Sequence, residues 1–271
     1  MICYPNAKIN IGLNVVEKRP DGYHNLETIF YPIPLSDALE LVHNTTSQEP
    51  YTWGNTGIEV DTTAENNICI KALNLIKAQH NIPPIQIHLH KMIPFGAGLG
   101  GGSADGAFML SLLNKEFDLQ ICDSELHQMA TQLGADCPFF LDNKPAFATG
   151  IGDILEPVNL DLSGYYFCLV KPPVHVSTPV AYSGVQAKPS THSLKDLIRL
   201  PIGQWKHHIK NDFEQSVFEK FPQIGHLKMQ LYEAGALYAA MSGSGSSVFG
   251  IFKEKPIINF DDTYFVWSKK L

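Results

Sequence analysis

Apolar side chains return at every second position through Ile85–Ile93, "IQIHLHKMI", with Ile85, Ile87 and Leu89 on one face. That period predicts a half-buried strand. The stretch "AKINIGLNVV" (Ala7–Val16) alternates polar and apolar and predicts another, followed by the turn-rich "KRPDGYHN". Over Asn67–Gln79 the spacing changes. Ile68, Ala72, Leu75 and Ile76 recur at helical intervals, and the pattern stops before "NIPP". Ser103–Leu113 is expected to be helical with Ala104, Ala107, Phe108 and Leu112 inward, and "SELHQMATQL" forms a helix closed by Gly134 as a C-cap. Further on, "YYFCLVKP" reads as a strand, "LKDLIRL" and "FPQIGHLKMQLYEAG" as helices, and "ALYAAMSGSGSSVFGIF" as strand, turn, strand. Helices and strands intermix in both halves, so the fold class is α+β or α/β, with a boundary near "ATGIGDILEPV".

Between the strand at Ile85 and the helix at Ser103 the chain places five glycines in seven positions, Gly96, Gly98, Gly100, Gly101 and Gly102. Gly96-Ala-Gly98-Leu-Gly100-Gly101 also spells G-x-G-x-x-G in letters. A dinucleotide site needs a fully buried strand before the loop, and here His88 and His90 interrupt it. A phosphate loop of the G-K-S/T kind needs a lysine before Ser103, where Gly102 stands. The downstream motifs of a protein kinase are absent. What remains is the physics of bare backbone. Glycines admit close approach and positive φ, and a following helix turns free N–H groups and the positive end of its dipole toward whatever lies there. The stretch reads as a phosphate cradle.

Composition narrows the ligand. Of 271 residues 44% are hydrophobic and 17% charged, enough for a core and unlike a disordered chain. A net charge of −7 argues against nucleic acid or an anionic membrane as partner, so an anion must be held locally. Five scattered cysteines without a CxxC pair point to a reducing compartment. No signal-like h-region opens the chain and no stretch of 18 apolar residues occurs, so the expected setting is cytoplasmic.

The run Pro94-x-x-x-Gly98-Leu-Gly-Gly-Gly-Ser103 resembles the phosphate-binding signature of the GHMP kinases, which include galactokinase, homoserine kinase and mevalonate kinase. "PNAKIN" near the start is similar to that family's first motif, and "AAMSGSGSSVFGIF" (Ala239–Phe252) to its third. The resemblance spans Pro5 to about Phe252. It implies a two-domain α+β fold, with a ribosomal-S5-like ATP-binding domain over residues 1–152 and a ferredoxin-like domain over 153–271. It also implies an ATP-dependent kinase of a small alcohol, working with ATP and Mg²⁺. Lengthier matches at "PDGYH", "GADCPFF" and "NDFE" resemble family members whose acceptor is a polyol capped by a cytidyl group. A smaller acceptor, such as homoserine or mevalonate, is the alternative.

Residue by residue, the resemblance makes Asp136 the base that takes the acceptor's proton, and Lys8 the cation that steadies the carboxylate and the transferring phosphate. By themselves, a lone lysine or aspartate would read as solvated surface or a turn cap; the surrounding motifs reverse that. Asn10 shares the strand face of Lys8 and is assigned to the substrate. Tyr23 and His24 are placed at the cytosine, with Tyr182 stacking on the base. On the ATP side stand Pro94, Gly96, Gly98, Leu99, Gly100, Gly101, Gly102 and Ser103, the last also the expected helix N-cap. Lys91 is placed toward the phosphates or purine and Asn67 near the adenine. Ala104 stands where the family usually has a second serine, which removes one hydroxyl from the cradle. No spacing names the magnesium ligands.

Overall fold

The computed structural model describes residues 1–44, 49–59 and 63–271. Its strands are β1 (Ile2–Cys3), β2 (Asn6–Lys18), β3 (His24–Ser36), β4 (Ala38–His43), β5 (Tyr51–Gly57), β6 (Ile85–Lys91), β7 (Ala146–Thr149), β8 (Ile154–Pro157), β9 (Tyr166–Lys171), β10 (Tyr238–Met241), β11 (Val248–Phe252) and β12 (Phe265–Lys270). Its α-helices are α1 (Ile68–Lys77), α2 (Gly101–Glu116), α3 (Asp123–Leu133), α4 (Cys137–Asp142), α5 (Thr178–Tyr182), α6 (Leu194–Leu197), α7 (Ile202–His208), α8 (Phe213–Lys220) and α9 (Pro222–Glu233). Two compact units emerge, each discontinuous in sequence. The first holds Met1–Ala7, Pro34–Phe95 and Gly100–Asn143; the second holds Lys8–Ile33, Gly96–Leu99 and Lys144–Leu271. These interleaved units are organised differently from a single linear division of the chain.

In the first unit the sheet runs β1-β4-β6-β5, with β4 antiparallel to β1 and β6, and β5 parallel to β6. Along β6 the side chains alternate as the sequence dictates. Ile85, Ile87 and Leu89 are buried, and by the same parity so is Lys91. Helix α1 starts where Asn67 accepts the backbone N–H of Cys69 at 2.9 Å, a side-chain N-cap. It crosses α2 closely, since a Cβ on Gly106 would stand 2.8 Å from Ile68 Cγ1. Helix α2 begins at Gly101, two residues before the sequence pattern suggests. Gly100 is its N-cap in the left-handed region (φ 68°), so Ser103 occupies the first turn and does not cap the helix. Glycine's low helix propensity hides this start, because propensity matters little in a turn whose N–H groups are unpaired anyway.

The second unit carries two sheets, β2-β3-β7-β8 and β10-β11-β9-β12. The latter is antiparallel throughout, and α8 and α9 lie with it over a core that includes Leu13, Val15, Phe213, Val217, Met241 and Phe252. Each such side chain withdrawn from water contributes about 1.5–3 kcal/mol, which is what holds the small helices on the sheet. The edge strand β12 has no counterpart in the sequence reading. Gly134 closes α3 with extended backbone (φ 165°), not with the left-handed cap expected. "LKDLIRL" forms a helix only over Leu194–Leu197.

Candidate active site

The glycine loop is shaped by three alternating left-handed residues, Gly96, Gly98 and Gly100, at φ 58°, 72° and 68°. Its first half is sewn to the second unit's hairpin turn. Ser246 N–H donates to the Gly96 carbonyl and Ser247 N–H to the Ala97 carbonyl, both at 3.3 Å, while the Ser242 hydroxyl donates to the Gly98 carbonyl at 2.7 Å. A Cβ on Gly98 would collide with the Ser242 carbonyl oxygen, so two backbones meet here with no room for a side chain. From β2, Lys8 N–H donates to the Leu99 carbonyl at 2.9 Å.

The same strand supplies a buried polar chain. The Lys8 ammonium donates to Asn10 Oδ1 at 2.7 Å and sits 4.5 Å from the centre of the Phe30 ring. Asn10 Nδ2 donates to the Thr28 hydroxyl at 2.9 Å, which in turn donates to the Gly12 carbonyl at 2.6 Å. Each member is satisfied by its neighbour, the condition under which a buried polar network is tolerated. It fixes Lys8 and Asn10 on one face, as their spacing predicts.

On the first unit's side, the second half of the loop becomes α2. The backbone N–H groups of its opening residues, Gly101, Gly102 and Ser103, have no helical partner, and a Cβ on Gly102 would meet nothing within 4 Å. The helix start therefore faces open space with its positive end. The Ser103 hydroxyl bonds the Cys137 sulfur, and burial, with Asp136 adding to it, pushes the Cys137 thiol up to about 12 against that hydrogen bond. Asp136 is the next residue back, half-buried at the N-cap of α4 with Pro138 in the first turn. Through Cys137, Asp136 is one residue removed from a contact with the first turn of α2.

Lys91 lies beneath the helix start. Its ammonium is 1% exposed, pairs with Asp37 and donates to Asp105 Oδ2 at 2.6 Å. Asp37 Oδ1 meanwhile accepts the N–H groups of Met92 at 2.5 Å and Ile93 at 2.8 Å, tying down the strand-to-loop corner. Burial pulls the lysine's pKa down, and Asp105 and Asp37 more than offset it, leaving it raised. Asp105 is pushed up to about 8, by burial first and by Asp37, with Lys91 opposing. A Cβ on Gly101 would come 3.2 Å from the Lys91 nitrogen and 2.7 Å from Ile93 Cγ2. The charge of Lys91 is thus spent inside the unit, under the loop. Strand parity contains this signal, since Lys91 shares the buried face of Leu89.

Among the remaining expected residues, His24 and Tyr182 come together. Their rings stack at 4.7 Å with planes 25° apart, and Tyr182 meets Phe213 edge-on at 4.7 Å. Tyr23, beside them in sequence, is 62% exposed, its N–H bonded to Asp21 Oδ1 at 3.1 Å. Asn67 serves as the α1 cap described above, and Pro94 is half-buried at the loop's entry. All five cysteines are free. Among the described residues no group of three or more His, Cys, Asp or Glu side chains gathers as a metal cage, and no helix is long and apolar enough to cross a membrane.

A loop of this shape leading into an open helix start, locked to a second glycine hairpin, defines a small-molecule kinase. Residues 67–144 match the GHMP kinases N terminal domain and residues 193–259 the GHMP kinases C terminal domain, and the chain belongs to this family of ATP-dependent kinases. Its place within the family is with the 4-diphosphocytidyl-2-C-methyl-D-erythritol kinases. The protein of that name from Parabacteroides distasonis is 61% identical over 256 residues, 94% of this chain and 93% of the relative. That from Bacteroides fragilis (strain YCH46) is 55% identical over 262 residues, 96% of each. A crystal structure of 4-(cytidine 5'-diphospho)-2C-methyl-D-erythritol kinase superposes with a TM-score of 0.74 at 31% identity, covering 93% of this chain and 90% of the other. The expected α+β fold of the GHMP kinases is the one found.

Proposed function

We propose that this chain transfers the γ-phosphoryl group of ATP directly to the 2-hydroxyl of 4-diphosphocytidyl-2-C-methyl-D-erythritol, a step toward isoprenoid precursors. The observation that carries the reading is the Ser103–Cys137 contact, which joins the first turn of α2 to the residue that follows Asp136 and so supports a base next to the phosphate loop. Phosphoryl transfer asks a protein mainly to position its reactants and stabilise charge, and this pairing offers a phosphate cradle next to a base.

In this reading the free N–H groups of Gly101, Gly102 and Ser103 receive the phosphates, with Gly96, Gly98 and Leu99 forming the rest of the cradle. Asp136 accepts the proton of the acceptor hydroxyl. Lys8, aimed by Asn10, supplies positive charge to the transferred group. The His24–Tyr182 stack supports a cytidyl-bearing acceptor, because a flat ring offers a base a π-face and an imidazole nitrogen offers its edge a hydrogen bond. A smaller acceptor would have no use for that aromatic pair. Lys91 and Asn67 act from below, holding the loop and the α1 terminus in place.

Mg²⁺ would enter with ATP. The donor set fits such an ion, since magnesium keeps several waters and needs few protein ligands, and Ser103 would offer it a hydroxyl oxygen at the helix start. When bound it would screen the phosphate charge. The free cysteines support a reducing, cytoplasmic setting.

The test is ³¹P NMR of the product formed from ATP and the cytidyl acceptor. The 2-carbon bears a methyl group and no hydrogen, so a phosphomonoester placed there gives a signal without coupling to a carbinol proton. A proton-coupled monoester, or none, would refute the assignment.

A further inference from the structure

The sequence "NDFE" (Asn211–Glu214) does no chemistry in the reaction just proposed, yet nearly every polar atom in it is committed to a different part of the second unit. The chain here runs beside β2, with Leu13 N–H donating to the Lys210 carbonyl at 2.9 Å and Asp212 N–H to the Leu13 carbonyl at 2.8 Å. Asp212 Oδ2 accepts the N–H of Val15 at 2.8 Å. Asn211, 3% exposed, spends its amide nitrogen on the entry to the glycine hairpin turn, donating to the carbonyls of Met241 at 2.9 Å and Gly243 at 2.8 Å. Its own oxygen accepts the N–H of Phe213 at 3.0 Å. Glu214 accepts the N–H of Met241 at 2.9 Å and pairs with Lys228 at 2.6 Å. Phe213 buttresses Tyr182, and one turn on, the Ser216 hydroxyl donates to the carbonyl of Ala181 at 2.9 Å.

We propose that this segment positions two substrate elements from one helix terminus, Asn211 setting the Ser242–Ser247 turn that shapes the phosphate loop and Phe213 setting the Tyr182 ring that receives the base. The proposal rests on the function above for the identities of the two ligands. Asn211 is suited to its part because an amide alone offers two donors and an acceptor in one plane, and its capacity is filled. Phe213 is suited to its part because an edge-to-face contact at 4.7 Å fixes the tilt of the neighbouring ring.

The two halves make opposite kinetic predictions in the full-length enzyme. Asn211→Asp keeps the size and the acceptor for Phe213 N–H but removes the donors to the hairpin. It should raise KM for ATP about tenfold while KM for the cytidyl acceptor stays within about twofold. Phe213→Leu, which keeps most of the apolar volume, should raise KM for the acceptor about fivefold and leave KM for ATP within about twofold. Asn211→Ser, which retains one donor, is made alongside in case the aspartate variant does not fold. Amide hydrogen exchange over residues 242–247, measured without substrates, should quicken in the Asn211 variants and not in Phe213→Leu. If both variants move both constants together, in step with their loss of melting temperature, the segment is only structural and the proposal falls. It falls equally if exchange over 242–247 is unchanged in the Asn211 variants. Absence of wild-type turnover with the cytidyl acceptor would overturn the proposed function instead, and the exchange comparison would still decide the part given to Asn211.

Discussion

The Ser242 hydroxyl donates to the Gly98 carbonyl at 2.7 Å while its oxygen accepts the N–H of Asn10 at 3.2 Å, so one side chain joins the third motif to the second and to the first. Removing it leaves a buried carbonyl and a buried N–H unpaired. Ser242→Ala should cost about 1–3 kcal/mol of stability and weaken ATP binding about fivefold or more. Thermal melts with and without ATP would check both. An unchanged ATP-induced shift would mean that the loop keeps its shape without this tie.

Gly98 and Gly102 separate the two reasons for glycine in the loop. Gly98→Ala is strained twice, by its φ of 72° and by the Ser242 carbonyl, and should lower the melting temperature. Gly102 has helical backbone and open space at its Cβ, so Gly102→Ala should leave the free protein as stable or up to about 1 kcal/mol more so. The added methyl would nevertheless occupy room needed by phosphate. ATP affinity should fall about tenfold or more, measured by calorimetry. Unchanged ATP affinity would remove the first turn of α2 from the cradle.

Asp136→Asn should lower kcat by roughly 10²–10⁴, the usual range for a general base, with KM for ATP nearly unchanged. Rate measurements at saturating substrates would show it. A variant with near-normal kcat would take the base role from Asp136.

The buried trio below the loop yields a stability prediction with a pH signature. Lys91→Met leaves the acid pair Asp37 and Asp105 without its cation and should cost roughly 3–5 kcal/mol. Asp105 binds its proton up to about pH 8 in the folded state, against 3.8 as its ordinary value. Through that window the folded protein holds a proton the unfolded chain has released, so this residue's contribution to stability falls as pH rises and levels off above it. Urea titrations at several pH values should show Asp105→Asn gaining on the wild type as pH climbs. A difference independent of pH would contradict the assignment.

Much of this was legible in the residues, and the misses have physical causes. The alternation of β6 and the helical spacing of α1 are local signals, and both elements appear where they predict, with Asn67 as the α1 cap. The loop was legible because five glycines have few other uses. The start of α2 was not, because Gly101 and Gly102 look like loop while sitting where a helix tolerates them. Lys91 was expected toward the phosphates or purine, although parity with Leu89 puts it on the buried face; the two aspartates that make burial bearable lie 54 residues before it and 14 after, and only folding brings them in. The same holds for Asn211, whose partners at Met241 and Gly243 are 30 and 32 residues away. Strand β12 alternates only weakly in burial at the sheet's edge, so its pattern carried little.

Recognition of the acceptor through its cytidyl group separates this kinase from those that take small alcohols. It is tested most directly by ADP release from Mg-ATP, comparing the cytidyl-diphospho-methylerythritol with uncapped methylerythritol phosphate, homoserine and mevalonate. Turnover is expected with the cytidyl compound alone. Turnover with homoserine or mevalonate would contradict it, leaving the fold, the glycine cradle and Asp136 in place but stripping the His24–Tyr182 pair of its role.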